Sequence, residues 1–243
     1  MKPEAKSRGG LVNAFLTQPD RGGFNTEKFL NAIVEDGGTR DIGGFTLVCG
    51  RVGQPLAVIS NRTSETKNIH WILKEESETI GLSNAAISDR TWTKVSRAES
   101  LLDEIIKQNV AAGASQDDLI KELLAVLSDE TLPKVNGMDW QSQVKELRNS
   151  IFIPPLGGEV TKHESAQDLA AAKATDPVTV QEPKAATSDS SGSSEVYGTQ
   201  KQTIVLVSHT GHVTFLERTL FDEGGNASDN TTRDKCLEFD VQD

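Results

Sequence analysis

Apolar residues recur at helical spacing near the start of the chain. Leu11, Val12, Phe15 and Leu16 share one face, behind Ser7 as an N-cap. A second helix is predicted from Thr26, its N-cap, to about Glu35, with Phe29, Leu30, Ile33 and Val34 on one side. The pair Gly37-Gly38 stops it. The texture then changes to short runs rich in β-formers. GGFTLVCG and PLAVISN, joined by Arg51-Val52-Gly53-Gln54, predict a β-hairpin. HWILK and TIGLSN add a third and a fourth strand, separated by the charged stretch Lys74 to Glu78, so one antiparallel sheet is expected.

Helical spacing returns between Ser96 and about Ser150. Ala98, Leu101, Leu102, Ile105 and Ile106 form one stripe that Gly113 closes. Ser115 opens the next helix, whose buried face is Leu119, Ile120, Leu123, Leu124 and Leu127. Two short helices separated by a glycine suit packing on a sheet better than a coiled-coil seam. From Pro154 to Thr199 the composition shifts to Ala, Ser, Thr, Pro, Glu and Lys, with Tyr197 its one aromatic. Such a stretch buries too little apolar surface to offset its ordering entropy, and a disordered insertion is expected. TIVLVSH and HVTFLER then pair across a two-residue turn, Thr210-Gly211. A polar loop, Asp222 to Thr232, precedes a last alternating strand, Lys235 to Val241. The expected organisation is one α+β domain whose first part is residues 1–153, whose insertion is 154–199, and whose closing strands lie in 200–243.

Charge narrows the range of partners. A net charge of -11 without a Lys/Arg run argues against nucleic acid or an anionic membrane as main partner. MKPEAKSRGG holds no apolar signal region, and no stretch reaches the roughly 18 apolar residues of a membrane span. Two cysteines, Cys49 and Cys236, cannot make a disulfide framework, which suits a reducing compartment. A cytoplasmic protein is therefore expected. The sequons at Asn61, Asn226 and Asn230 then read as coincidences.

Metal and nucleotide signatures are absent from the sequence: no CxxC pair, no HExxH, no Walker loop. His209 and His212 straddle a turn and read as solvated, and His70, beside Trp71, as a partly buried structural histidine. Cys49, in an apolar strand, reads as a small inert hydrophobe. The strand ends say more. SNRT places Asn61 and Arg62, and GLSN places Ser83 and Asn84, at strand exits. On neighbouring strands these amide, hydroxyl and guanidinium groups would gather at one sheet edge, fit to hold an anion or a carbonyl oxygen. Ordinary turn and cap chemistry explains the same residues, so both readings stand.

SRGGLVNAFL, TEKFLNAI, GGFTLVCG, SNRT, TIGLSNA with Trp92, Lys94 and Val95 after it, and the SHTGHVTFLER hairpin occur in an order that resembles the NRDE family, which includes the transport and Golgi organisation proteins. The insertion looks like that of the fungal branch. The resemblance implies an N-terminal-nucleophile hydrolase-like αββα sandwich of antiparallel sheets, incomplete here at the N-terminus. Members begin Met-Cys and carry an Asn-Arg-Asp-Glu string; this chain begins Met1-Lys2 and has no such string. No catalytic residue is therefore assigned, and an amide hydrolase is expected only of a longer form with that cysteine. Asn84 looks similar to an oxyanion-stabilising asparagine of related acylases. The resemblance also implies Golgi organisation and protein secretion, Golgi association, and haem or acyl-lipid carriage as an alternative; an unknown small-molecule or lipid ligand is expected at the strand-end candidates Asn61, Arg62, Ser83 and Asn84. No cofactor follows from the residues themselves.

Overall fold

A computed structural model describes residues 8–18, 25–39, 42, 44–74, 78–133, 140–156, 197–222, 225–229 and 233–241. Among them the chain forms two compact units, one running to Ile80 and the other starting at Gly81. The class is α+β, with two three-stranded antiparallel sheets and five α-helices among the described residues.

The first unit holds helices α1 (Arg8–Leu16) and α2 (Thr26–Glu35) and strands β1 (Thr46–Cys49), β2 (Leu56–Ser60) and β3 (His70–Ile72), in sheet order β1-β2-β3. The span of α2 is as its periodicity predicts, but its cap lies one residue earlier. Asn25 Oδ1 accepts the Lys28 N–H at 3.0 Å, satisfying a donor that the first turn leaves orphaned. The helix ends where Gly37 turns left-handed at φ +67° and the Gly38 N–H reaches Ile33 O. Register sets Leu47 opposite Ile59, and Cys49 opposite Ala57, itself opposite Trp71. These partners share a face, and that face packs with Leu30 and Val34 of α2. Leu30 and Ile59 are fully buried, each contributing about 2–3 kcal/mol by transfer from water. In α1 the expected stripe is narrower than its spacing suggests, since Leu11 is buried while Leu16 is exposed. Ser7 lies outside the described residues.

The expected fourth strand does not form: Thr79–Asn84 carries no strand pairing. Its Gly81 N–H is spent on a side-chain carboxylate of the next helix instead of a sheet ladder.

After the loop that opens it, the second unit holds that helix, α3 (Thr93–Ala112), followed by α4 (Gln116–Leu127) and α5 (Trp140–Glu146), then β4 (Lys201–Val207), β5 (His212–Thr219) and β6 (Asp234–Asp240) in order β4-β5-β6. Gly113, left-handed at φ +59°, ends α3, and Ser115 Oγ caps α4 by accepting the Asp118 N–H. Leu124 of α4 packs with Ile204 and Leu216, joined by Ile120, Leu123, Leu127 and Leu206. Polar contacts fix this layer: Gln202 Nε2 donates to Ser128 Oγ at 2.9 Å and Gln116 Nε2 to Thr214 Oγ1 at 3.2 Å. Arg97 and Asp129 form a two-bond ion pair that holds the Asp129 carboxyl below the usual range. The α3 stripe is less buried than predicted, with Ile106 exposed.

The turn between β4 and β5 is wider than two residues. It spans 208–211, closes with Ser208 N–H to His212 O, and places Gly211 at φ +84°. Of the expected insertion, 157–196 lies outside the described residues. Its two ends meet: Leu156 and Tyr197 exchange backbone hydrogen bonds of 2.7 and 2.8 Å. Beside them Thr199 N–H donates to Ile153 O, and Ile153 N–H to Thr199 Oγ1. No helix of the described residues is long and apolar enough to cross a membrane.

Candidate ligand-binding site

Asn61 and Arg62 sit in the turn that leaves β2, within the first unit. The turn closes through Thr63 N–H to Ser60 O at 3.0 Å and Ser60 N–H to Thr63 Oγ1 at 2.9 Å. Buried Thr39 donates its hydroxyl to Thr63 O at 2.9 Å, pinning the turn from behind. Arg62 N–H uses Ser60 Oγ at 3.2 Å, while its guanidinium projects from an exposed position. SNRT is thus well-formed turn chemistry, and the same turn carries the half-buried amide of Asn61 beside the exposed cation of Arg62.

Ser83 and Asn84 belong to the second unit and lie on a loop, not at a strand exit. The two residue groups therefore do not end neighbouring strands of one sheet. What positions the loop is Glu99 of α3. Its Oε1 accepts the Gly81 N–H at 2.8 Å, and Arg90 Nη1 reaches both carboxylate oxygens at 2.7 and 2.8 Å. One carboxylate thereby ties both ends of the segment 81–90 to one turn of helix. Gly81 lies so close to α3 that a Cβ there would stand 2.9 Å from Val95 Cγ1 and 3.1 Å from Val95 O. Only glycine fits this approach without a shift. Within the loop Asp89 accepts from the Thr91 N–H and hydroxyl, which draws its pKa down. Ser83 is half-buried and Asn84 exposed, and neither side chain hydrogen-bonds a described residue. Arg90 and Glu99 escape sequence reasoning because nothing in their nine-residue separation marks a contact.

Cys49 is buried in the face covered by α2, and burial pushes its thiol up to about 11. A thiol held protonated is a poor nucleophile. His70 is exposed on β3, not partly buried, and His209 is exposed in the 208–211 turn. His212 Nδ1 lies 2.9 Å from Asp240 Oδ1. Among the described residues His70 and His209 are exposed and His212 is engaged by Asp240, so none stands as an enclosed axial ligand for haem.

With the geometry in place, comparison with known proteins adds two findings. The family described as Transport and Golgi organisation 2 matches residues 1–222. The mouse (Mus musculus) protein named Transport and Golgi organization 2 homolog is 27% identical over 243 residues, covering 98% of this chain and 70% of the mouse protein.

Proposed function

Because the chain belongs to the Transport and Golgi organisation 2 family, we propose that it acts in Golgi organisation and secretory transport by holding a small-molecule or lipid ligand, without catalysing a reaction. The observation that carries the ligand reading is the Glu99 latch, which fixes the segment bearing Ser83 and Asn84 before any ligand arrives. A pre-ordered loop loses less entropy on binding, and a free hydroxyl and amide suit a carbonyl or carboxylate oxygen. Within the first unit, Asn61 and Arg62 lie on an equally well pinned turn. Each sheet has helical residues packed on one face, which is compatible with the layers of an N-terminal-nucleophile hydrolase-like sandwich. A cytoplasmic protein associated with the Golgi fits this role.

The test is rescue in cells whose own family member has been removed, reading Golgi morphology and release of a secreted reporter. The Ser83→Ala/Asn84→Ala double variant should melt like the parent yet fail to rescue. Glu99→Ala should also fail, with faster amide exchange across 82–89. Full rescue by the double variant would remove the site reading, and no rescue by the parent chain would remove the Golgi reading.

A further inference from the structure

We propose that Lys94 and Arg148, gathered around the Trp92 indole, form a binding site for a phosphate group. The Lys94 ammonium lies 5.1 Å from the centre of the Trp92 ring and the Arg148 guanidinium carbon 5.5 Å from it. The two charges can be no farther apart than the sum of those distances. Backbone contacts hold them there: Lys94 N–H donates to Arg148 O at 3.2 Å, and Thr93 Oγ1 donates to Asn149 Oδ1 at 2.7 Å.

What marks the pair is that two cations share one indole while no carboxylate hydrogen-bonds either of them among the described residues, whereas other cations without such a partner, Arg62 and Lys107 among them, stand exposed and singly. In a chain with 36 acidic and 25 basic residues, Lys67, Arg90, Arg97, Lys121, Lys201 and Arg218 all find an acidic partner. Lys94 and Arg148 have none among the described residues. Asp89, kept ionised by its Thr91 hydrogen bonds, feels the Arg148 charge without hydrogen-bonding it and offsets only part of it. Lys94 is also partly withdrawn from water, and that desolvation lowers its pKa. Two like charges brought to one half-buried ring are unfavourable, and a single indole offsets only part of that by cation–π attraction. An anion would relieve the remainder. The Trp92 Nε1–H is buried without an acceptor, and the positive end of α3 lies at the same place. Neither of those features makes a site alone; the paired cations do. A compact ammonium and a planar guanidinium around one ring suit a multiply charged phosphate better than a single carboxylate.

The phosphate could belong to a soluble compound or to a lipid headgroup. Two probes separate these sources: inorganic pyrophosphate by calorimetry, and sedimentation with phosphatidylcholine vesicles with or without phosphatidic acid. At least one phosphate-bearing probe should bind. Lys94→Gln and Arg148→Gln should each weaken it roughly tenfold or more, the scale of a lost charge-assisted hydrogen bond. Lys94→Arg should retain binding, as should Lys107→Gln, an exposed change elsewhere on α3. In the parent chain the Trp92 indole N–H resonance should move as the binding probe is titrated, a readout that needs no variant. No binding of either probe, equal binding by both Gln variants, or an unmoved Trp92 resonance would overturn the proposal.

Discussion

Leu73 is held at φ +54°, in the left-handed region, where it ends β3. For a leucine this conformation costs roughly 1–2 kcal/mol, because Cβ crowds the following carbonyl oxygen. The side chain is partly exposed and offsets little of that by burial. Leu73→Asn should therefore stabilise the protein by about 1 kcal/mol, read as a rise in Tm. An unchanged or lowered Tm would show that its packing outweighs the strain. Cys49 carries the opposite kind of signature, one that pH reveals. Its thiol titrates from 9.0 when unperturbed and from about 11 when folded, so folding favours the protonated form. That contribution is complete below pH 9 and is lost as pH rises towards 11. Denaturant titrations should show the parent losing stability across this window more steeply than Cys49→Ala. The inertness of Cys49 is legible in its apolar strand; the strain at Leu73 is not, because no local residue pattern asks a leucine to turn left-handed.

At the scale of elements, periodicity located α2, α3, α4 and five of the six strands to within a few residues, and the last strand to within one. Burial of one face imposes that period, so the signal survives in the residues themselves. TIGLSN shows where it fails. Its apolar pair Ile80 and Leu82 alternates like a strand, but Glu99, far along the chain, claims the Gly81 N–H. A tertiary hydrogen bond to a side chain leaves no trace in the local pattern. The cap of α2 slipped for a smaller reason, since Asn25 and Thr26 are both good caps and only geometry chooses. β6 is legible but unusual: every residue of it is exposed. Register puts Leu237 opposite Phe215 and Phe239 opposite Val213, continuing across β5 to Val205 and Val207. Val205, Val207, Leu237 and Phe239 are all exposed on that face. Such a surface beside an edge strand favours self-association. Leu237→Lys with Phe239→Lys should lower the sedimenting mass of concentrated samples at unchanged Tm. A monodisperse parent would remove the premise.

For the molecule as a whole, the meeting of Leu156 and Tyr197 governs how the second unit is assembled. Closing a loop costs only logarithmically in its length, about 0.6 kcal/mol per doubling. If 157–196 is the tether its composition predicts, replacing it with a short Gly-Ser linker should stabilise the chain by about 1–2 kcal/mol. A loss of stability measured by chemical denaturation would mean that the segment packs on the rest. The same arrangement orders events in time during synthesis. Leu124 of α4 has its apolar partners in Ile204 and Leu216, which lie beyond that segment. At about 5–20 residues per second, a ribosome needs roughly 5 to 20 s to deliver Leu216 after Leu124. A helix forms in microseconds or less, so α4 can be complete while the surface meant to cover it is still unmade. The nascent chain then carries a bare leucine face, and its yield in a cell depends on what shelters that face until β5 arrives.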